Sequence, residues 1–245
     1  MKIRNPMNRY DLRIKKHYKV LEVGGGNDPH PRSNIVVDKY AGNQNYHRSG
    51  DLRILNHQQF IQADGENLPF TDNSFDYVIC IHVLEHVEHP QKFMDEQFRV
   101  AKRGYLEAPS LIGEYLAPKD SHKWVMLEID DKIIMYEKEI IGFKKTFDFG
   151  ELFLHHLPKI SLPYKLLQYT VNNILTINYE WKDKIDILIN PQEEEYYSMF
   201  TEPWNIDMCN RVFKKRKKKD EAFITISAMG NIIQRLVKRR ILSLK

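Results

Sequence analysis

The sequence predicts an α/β fold: a doubly wound, mostly parallel sheet closed by an antiparallel hairpin and followed by a basic C-terminal extension. Three observations carry that expectation. Over the first two-thirds, short apolar runs alternate with helical periodicity, the pattern of strands joined by crossover helices. The run Tyr77–Ile81 (YVICI) is apolar throughout, as a central strand covered on both faces requires. Successive runs end in glycines or in an acid, where ligands of such sheets bind.

The elements follow in order. Residues 19–23 form an apolar run ending in three glycines, and 34–38 form a second, closed by Asp38. Residues 60–63 read as a third strand ending at Asp64, and Tyr77–Ile81 is the fourth. A helix is expected over 90–101, with Phe93, Met94, Gln97, Phe98 and Ala101 at helical spacing. Residues 103–108 return as a fifth strand. Beyond Pro109, residues 124–129 and 132–137 flank Asp130-Asp131 and predict a hairpin. Helical segments are expected over 148–157 and 162–175. Residues 176–181 and 184–190 flank Lys182-Asp183 and predict a second hairpin, the pair that would close the sheet. After Pro191 no secure element is legible until 231–244, where Ile232, Ile233, Leu236, Val237, Ile241 and Leu244 form an apolar stripe among Arg235, Lys238, Arg239 and Arg240. The expected organisation is a domain over 1–190, with an insert around 111–175 at the acceptor site, and a basic extension over 191–245.

Composition sets the class. A chain of 245 residues, 42% hydrophobic and 29% charged, suits a globular protein with a sizeable core. No apolar run approaches a membrane span of about 20 residues, and residues 1–19 lack the apolar stretch of a secretory signal. Two distant cysteines, Cys80 and Cys209, suggest no disulfide framework, so a cytoplasmic location is expected. The net charge of +4 conceals an asymmetry: residues 211–245 carry +10 and the rest −6. An anionic partner should therefore meet the tail, where residues 214–219 are six consecutive bases. A solvated tail, peripheral contact of the amphipathic last helix with an anionic membrane, and nucleic-acid binding are the three readings of that charge.

The sharpest local feature is the strand Val20–Val23 running into Gly24-Gly25-Gly26. Consecutive glycines let a backbone approach a ligand where a Cβ would clash. The Gly-x-Gly-x-x-Gly pattern of nicotinamide-binding folds fails here, because Pro29 holds the third glycine position. Asp38, at the end of the second strand, can accept two ribose hydroxyls, and Asp64 can accept an adenine amino group. Any one acid alone would be read as a helix cap; the ordered series is the stronger signal.

The stretch Ala63-Asp64-Gly65-Glu66-Asn67-Leu68-Pro69-Phe70, then Asp72-Asn73-Ser74-Phe75-Asp76-Tyr77-Val78 and Val83-Leu84-Glu85-His86-Val87-Glu88-His89-Pro90, resembles class I methyltransferases, nearest their type 11 branch. The resemblance runs from about Val20 to Ser110. It implies a Rossmann-like fold and S-adenosyl-L-methionine as cofactor. It further implies cofactor contacts from Glu22, Gly24, Gly25, Gly26, Asp38, Asp64, Gly65, Glu66 and His82. One departure is evident: about a dozen residues, with Pro29 and Pro31 among them, separate Gly26 from Asp38, so the first crossover must be short or irregular.

His82, His86 and His122 are the candidate catalytic residues, with His82 the first candidate for a general base. Glu107, Pro109 and Ser110 should border an acceptor pocket, with His122 and Trp124 as acceptor contacts. His155-His156 reads as an ordinary packed helix end. His82, Glu85 and His86 are spaced to share a helical face. Small-RNA 2′-O-methyltransferases use a similar Glu-x-x-Glu-His arrangement with a later histidine to bind a divalent metal, and His122 is the matching candidate here. The same Leu-Glu-His-Val also occurs in the branch without metal. The leading expectation is a methyltransferase for a small-molecule or glycan-type acceptor; an RNA methyltransferase gripping phosphates with its tail and a non-catalytic cofactor-binding scaffold are the alternatives.

Overall fold

The computed structural model describes residues 1–41 and 50–242, the last five by backbone alone. Among the described residues the chain builds two sheets. The larger has seven strands: β1 (Lys2–Arg4), β2 (Val20–Val23), β3 (Ile35–Asp38), β4 (Gln59–Gln62), β5 (Tyr77–Ile81), β6 (Arg103–Pro109) and β9 (Thr176–Lys182), in the order β1-β9-β6-β5-β2-β3-β4. The smaller holds β7 (Trp124–Ile129), β8 (Lys132–Glu137) and β10 (Ile187–Ile189), in the order β10-β8-β7.

The central five strands of the large sheet pair in parallel, with Val20 opposite Tyr77 and Leu21 opposite Ile35. Strand order reverses between β2 and β5, so their carboxyl ends flank the topological switch point where ligands of such sheets bind. Val20, Leu21, Val36, Val37, Val78 and Ile79 are almost wholly buried, as apolar strands covered on both faces must be. Helix α1 (Pro90–Val100) follows β5; Pro90 opens it without loss, since its missing N–H lies in the first turn. As expected, no helix joins β2 to β3: residues 24–34 are turns.

The closing hairpin needs correction. β9 is antiparallel to β6, with Gly104 opposite Trp181, but its other neighbour is β1 rather than residues 184–190. Arg4 bonds Glu180 at 2.8 Å, and Lys2 pairs with Glu128, so ion pairs hold this edge. Residues 187–189 leave for the small sheet, where they pair in parallel with β8. The reason is their apolarity on both faces: Ile187 and Ile189 pack on the main core and Leu188 on the second.

The predicted hairpin at 124–137 is present, its turn residues Asp130 and Asp131 at φ 52° and 63°. It too is buried on both faces. Trp124, Met126, Ile133 and Met135 join the main core. Val125, Leu127, Ile129, Ile134 and Tyr136 form a second core with Tyr196, Met199 and Phe200 of α5 (Glu194–Thr201). Between the hairpin and the large sheet run α2 (Leu111–Leu116) before β7, and a helical stretch from Glu151 through α3 (Leu157–Ile160) and α4 (Leu162–Thr170) after β8.

Beyond residue 190 the chain is more ordered than its sequence suggests: α5, α6 (Ile206–Val212) and α7 (Lys218–Leu242) follow in turn. Part of the basic charge is consumed internally. Arg211 and Lys214 pair with Asp130, and Arg216 bonds Glu221 and the Thr170 carbonyl. Helix α7 buries Ala228 and Ile232, while Phe223, Ile226, Ile233, Leu236 and Val237 stay exposed. Leu244 of the predicted stripe lies outside the described residues. No helix among the described residues is long and apolar enough to cross a membrane.

Candidate functional site

A pocket of about 270 Å³ opens at the carboxyl ends of the parallel strands. Val23, Gly24 and Gly26 line it after β2, Asp38, Lys39 and Tyr40 after β3, Ala63 to Glu66 after β4, and His82 and Val83 after β5. His86, Val87, Glu88 and Phe93 complete the wall. A larger, open depression of about 620 Å³ lies at the opposite, amino ends, around Lys19, Asn34 and Gln59. The glycine turn and the acids at the strand ends converge on the smaller pocket, which is therefore the candidate site.

Gly24 has φ +75°, and a Cβ there would sit 2.2 Å from Val83 Cγ2, so two requirements select glycine at once. Its N–H donates to the Val37 carbonyl at 2.7 Å, tying the turn to β3. Gly26, at φ +53°, reaches the pocket wall; Gly25 does not, and faces Val36 behind it. Glu22 is also set behind the wall. It is fully buried and accepts the His30 N–H and the Ser33 hydroxyl, each at 2.7 Å. Burial pushes its carboxyl up despite those bonds. Glu22 thus pins the helix-free crossover: it takes over the fixing that a helix would supply. Arg9 reaches over the same loop to the Asp28 carbonyl at 2.6 Å.

Asp38 is nearly buried and accepts the Tyr40 N–H at 2.9 Å. Asp64 accepts the Glu66 N–H at 2.9 Å and pairs with Lys39 Nζ at 2.8 Å. Partial burial opposes its charge, but Lys39 prevails and holds the carboxyl below the usual range. Glu66 points away to receive the N–H groups of Glu88 and His89, both at 3.0 Å, and so clamps the turn before α1 to the end of β4. A Cβ on Gly65 would lie 2.4 Å from Phe93 Cε2, which explains the glycine by packing against α1.

His82 stands at the end of β5 with φ +53°, a left-handed conformation uncommon for a residue with a Cβ. Its backbone N–H donates to the Glu107 carbonyl at 2.9 Å. Its ring lies between two carboxylates, Nδ1 3.4 Å from Glu85 and Nε2 3.3 Å from Glu107. Desolvation disfavours its charge, yet Glu107 and Glu85 outweigh it and push the imidazole up to about 10. Both acids are held low by the same contact, against the burial that would raise them. The two carboxylates favour the charged ring, which counts against the expected role of His82 as a general base.

Leu84–His86 is a single 3₁₀ turn rather than the start of a helix. It still gathers its polar residues. Glu85 is completely buried, and neither of its carboxylate oxygens accepts a hydrogen bond among the described residues. His86 donates Nδ1–H to the Ser121 carbonyl at 2.9 Å and meets His122 edge-on at 4.7 Å between ring centres. His122 lies behind the wall and donates to Glu114 at 2.6 Å. Burial works against the Glu114 charge, but His122 and Lys138 keep its carboxyl low.

The five expected acceptor contacts, His122 among them, do not line this pocket. Trp124 is buried, its indole N–H donating to the Val87 carbonyl at 2.8 Å. Ser110 is buried and caps α2 through the Gly113 N–H, with Pro109 beside it and outside the wall. Glu107 reaches the pocket only through His82. His155 and His156 are exposed rather than packed. The residues that sequence reasoning missed are Lys39 and Glu114. Lys39 directly follows Asp38 and was legible as a neighbour; Glu114 meets His122 through the fold alone.

Comparison with known proteins agrees with this geometry. Residues 32–106 match the family model for a methyltransferase domain. A demethylmenaquinone methyltransferase of Paenarthrobacter aurescens is 32% identical over 98 residues, 38% of each chain. The norajmaline N-methyltransferase of Rauvolfia serpentina is 37% identical over 76 residues, 31% of this chain and 25% of the plant enzyme. An uncharacterised protein of Methanocaldococcus jannaschii is 34% identical over 99 residues, 38% of this chain and 46% of its own. The chain thus spans less than half the length of these relatives. Among solved structures, the PH0226 protein of Pyrococcus horikoshii superposes with a TM-score of 0.38 at 18% identity, over 70% of this chain and 84% of that one. Residues 32–106, which supply most of the pocket, are similar to a methyltransferase domain.

Proposed function

We propose that the chain binds S-adenosyl-L-methionine in this pocket and transfers its methyl group to a small-molecule or glycan-type acceptor. The observation that carries the reading is the ordered series at the strand ends: Gly24 and Gly26 after β2, Asp38 after β3, Asp64 after β4 and His82 after β5, all on one pocket. The residues present fit such a cofactor. Asp38 offers a carboxylate suited to a pair of ribose hydroxyls, and Asp64 one suited to an exocyclic amine. Gly24 and Gly26, at φ +75° and +53°, form a turn at the pocket wall that favours glycine.

When bound, the cofactor supplies an activated methyl group on a sulfonium. The protein's part is then alignment, which can supply roughly 7 to 11 kcal/mol of a barrier. His82 with Glu85 and Glu107 carries a net negative charge when the ring is protonated, an environment that favours a cation nearby. In that state both ring N–H groups face carboxylates, so an acceptor that carries a proton must lose it to another group or to water.

Calorimetric titration with S-adenosylmethionine, S-adenosylhomocysteine and NAD tests the reading. Micromolar binding of the first two and not the third is expected, weakened at least tenfold in Asp38→Ala and Asp64→Ala. Equal affinity in the parent and both variants would place the ligand elsewhere and refute it.

A further inference from the structure

We infer that Glu85, His86 and His122 form a binding site for one divalent transition-metal cation at the wall of the pocket. One ligand atom from each residue lies within 4.8 Å of the others. The Glu85 carboxylate is completely buried, yet both of its oxygens lack a hydrogen-bond donor among the described residues. The cationic candidate beside it, the His82 ring at 3.4 Å, is shared with Glu107, so one imidazole faces two carboxylates and leaves at least one negative charge for a cation to balance.

The spacing around Glu85 is that of ligands rather than of hydrogen bonds. His122 Nε2 lies 3.9 Å and His86 Nε2 4.0 Å from Glu85 Oε1. Both exceed a hydrogen bond. Two atoms bound at about 2.1 Å to a tetrahedral ion sit about 3.4 Å apart, so a small contraction closes the site.

The second set of contacts points the same way. His122 Nδ1 lies 2.6 Å from a Glu114 carboxylate oxygen, and His86 Nδ1 lies 2.9 Å from the Ser121 carbonyl. Each partner only accepts, so each ring keeps its proton on Nδ1 and turns the lone pair of Nε2 towards Glu85. Carboxylate and carbonyl partners of this kind fix the tautomer and orientation of metal-binding histidines. Lys138 and the Lys119 N–H hold Glu114 in place, at 2.6 and 2.9 Å.

Two imidazoles and one carboxylate suit Zn²⁺, Co²⁺, Fe²⁺ or Mn²⁺ better than Mg²⁺ or Ca²⁺. The described residues supply three ligands, and His86 lines the pocket, so the cation would sit at the pocket wall. There the cation would hold an oxygen or nitrogen of the acceptor; this second step rests on the methyltransferase reading, whereas cation binding does not.

The test uses the full chain, freed of metal with chelator and titrated with Co²⁺. One Co²⁺ per chain, visible d–d absorption and displacement by Zn²⁺ are expected. His86→Ala and His122→Ala should abolish the bands, and Glu114→Gln should weaken binding about tenfold. Each variant is checked for folding by circular dichroism and for S-adenosylhomocysteine binding. His86 is partly exposed, so its variant remains informative where a change at buried Glu85 would unfold the chain. A folded parent that binds neither Co²⁺ nor Zn²⁺, or variants that keep the parent spectrum, would overturn the site. Nucleoside binding without metal binding would overturn it and leave the methyltransferase reading intact; metal binding without nucleoside binding would do the reverse.

Discussion

Replacing Glu22 with leucine removes the single acceptor that pins the crossover between β2 and β3. The His30 N–H and the Ser33 hydroxyl both donate to the same oxygen, Oε2, and both residues are buried. Each orphaned donor costs about 1 to 3 kcal/mol. Leucine buries apolar surface in return, roughly 1 kcal/mol, and the carboxylate's own desolvation is relieved. A net loss of about 2 to 4 kcal/mol follows, a fall of about 5 to 15 °C in Tm for a chain of this size. Glu22→Gln is the control: its amide oxygen can take the place of Oε2 and keep both bonds. Only the longer contact to Arg9, at 3.7 Å, is lost, and Arg9 retains Asp28. The glutamine variant should therefore stay within about 1 kcal/mol of the parent. Thermal and urea unfolding measure the stabilities. Calorimetry with S-adenosylhomocysteine, well below the lower Tm, should show at least a tenfold loss of affinity in the leucine variant alone. Equal destabilisation by leucine and glutamine would refute the claim that this acceptor organises the loop.

His30 is buried beside Arg9, and burial first, then that charge, lowers its imidazole to about 4. The folded value lies below the unfolded one, so its contribution to stability is complete above about pH 6.5 and is lost as pH falls towards 4; a ring that titrates near 6.5 by NMR would contradict this. Trp124→Ala should lose about 3 to 5 kcal/mol, and Trp124→Phe less, because the indole fills the core and bonds Val87; a change below 1 kcal/mol by urea unfolding would mean that the ring is not core. Gly24→Ala should destabilise by about 1 to 3 kcal/mol through its positive φ and its clash with Val83. Adding Val83→Ala should recover the clash alone, so fully additive effects in a double-mutant cycle would refute that contact.

The strands β2 to β6 and helix α1 were legible to within a residue or two, because each is marked by its own local pattern: an apolar run or a helical stripe. The pocket residues Gly24, Asp38, Asp64 and His82 were legible for the same reason, since a parallel sheet delivers its strand ends to one edge whatever lies around it. The short crossover was legible too, but not the device that fixes it: nothing local says that Glu22 turns inward to His30 and Ser33 instead of towards a ligand.

What the tertiary structure decided is every pairing between distant segments. Residues 184–190 read as the partner of 176–181, yet β1, far upstream in the chain, holds that edge with ion pairs from Lys2 and Arg4, while 187–189 form the edge of the small sheet, where Ile187 and Ile189 meet one core and Leu188 the other. Helices α5 and α6 were not legible because each is only about two turns long, too short to show a helical period, and their apolar residues pack against the second core. His122 was a candidate by residue type alone; only the fold sets it against Glu114 and beside Glu85 and His86. Sequence by itself determined the local elements and the edge at which a ligand binds, since period and turn chemistry act between neighbours. Which side chains meet behind that edge, and with what charge, depended on burial and long-range contact, which no local period encodes.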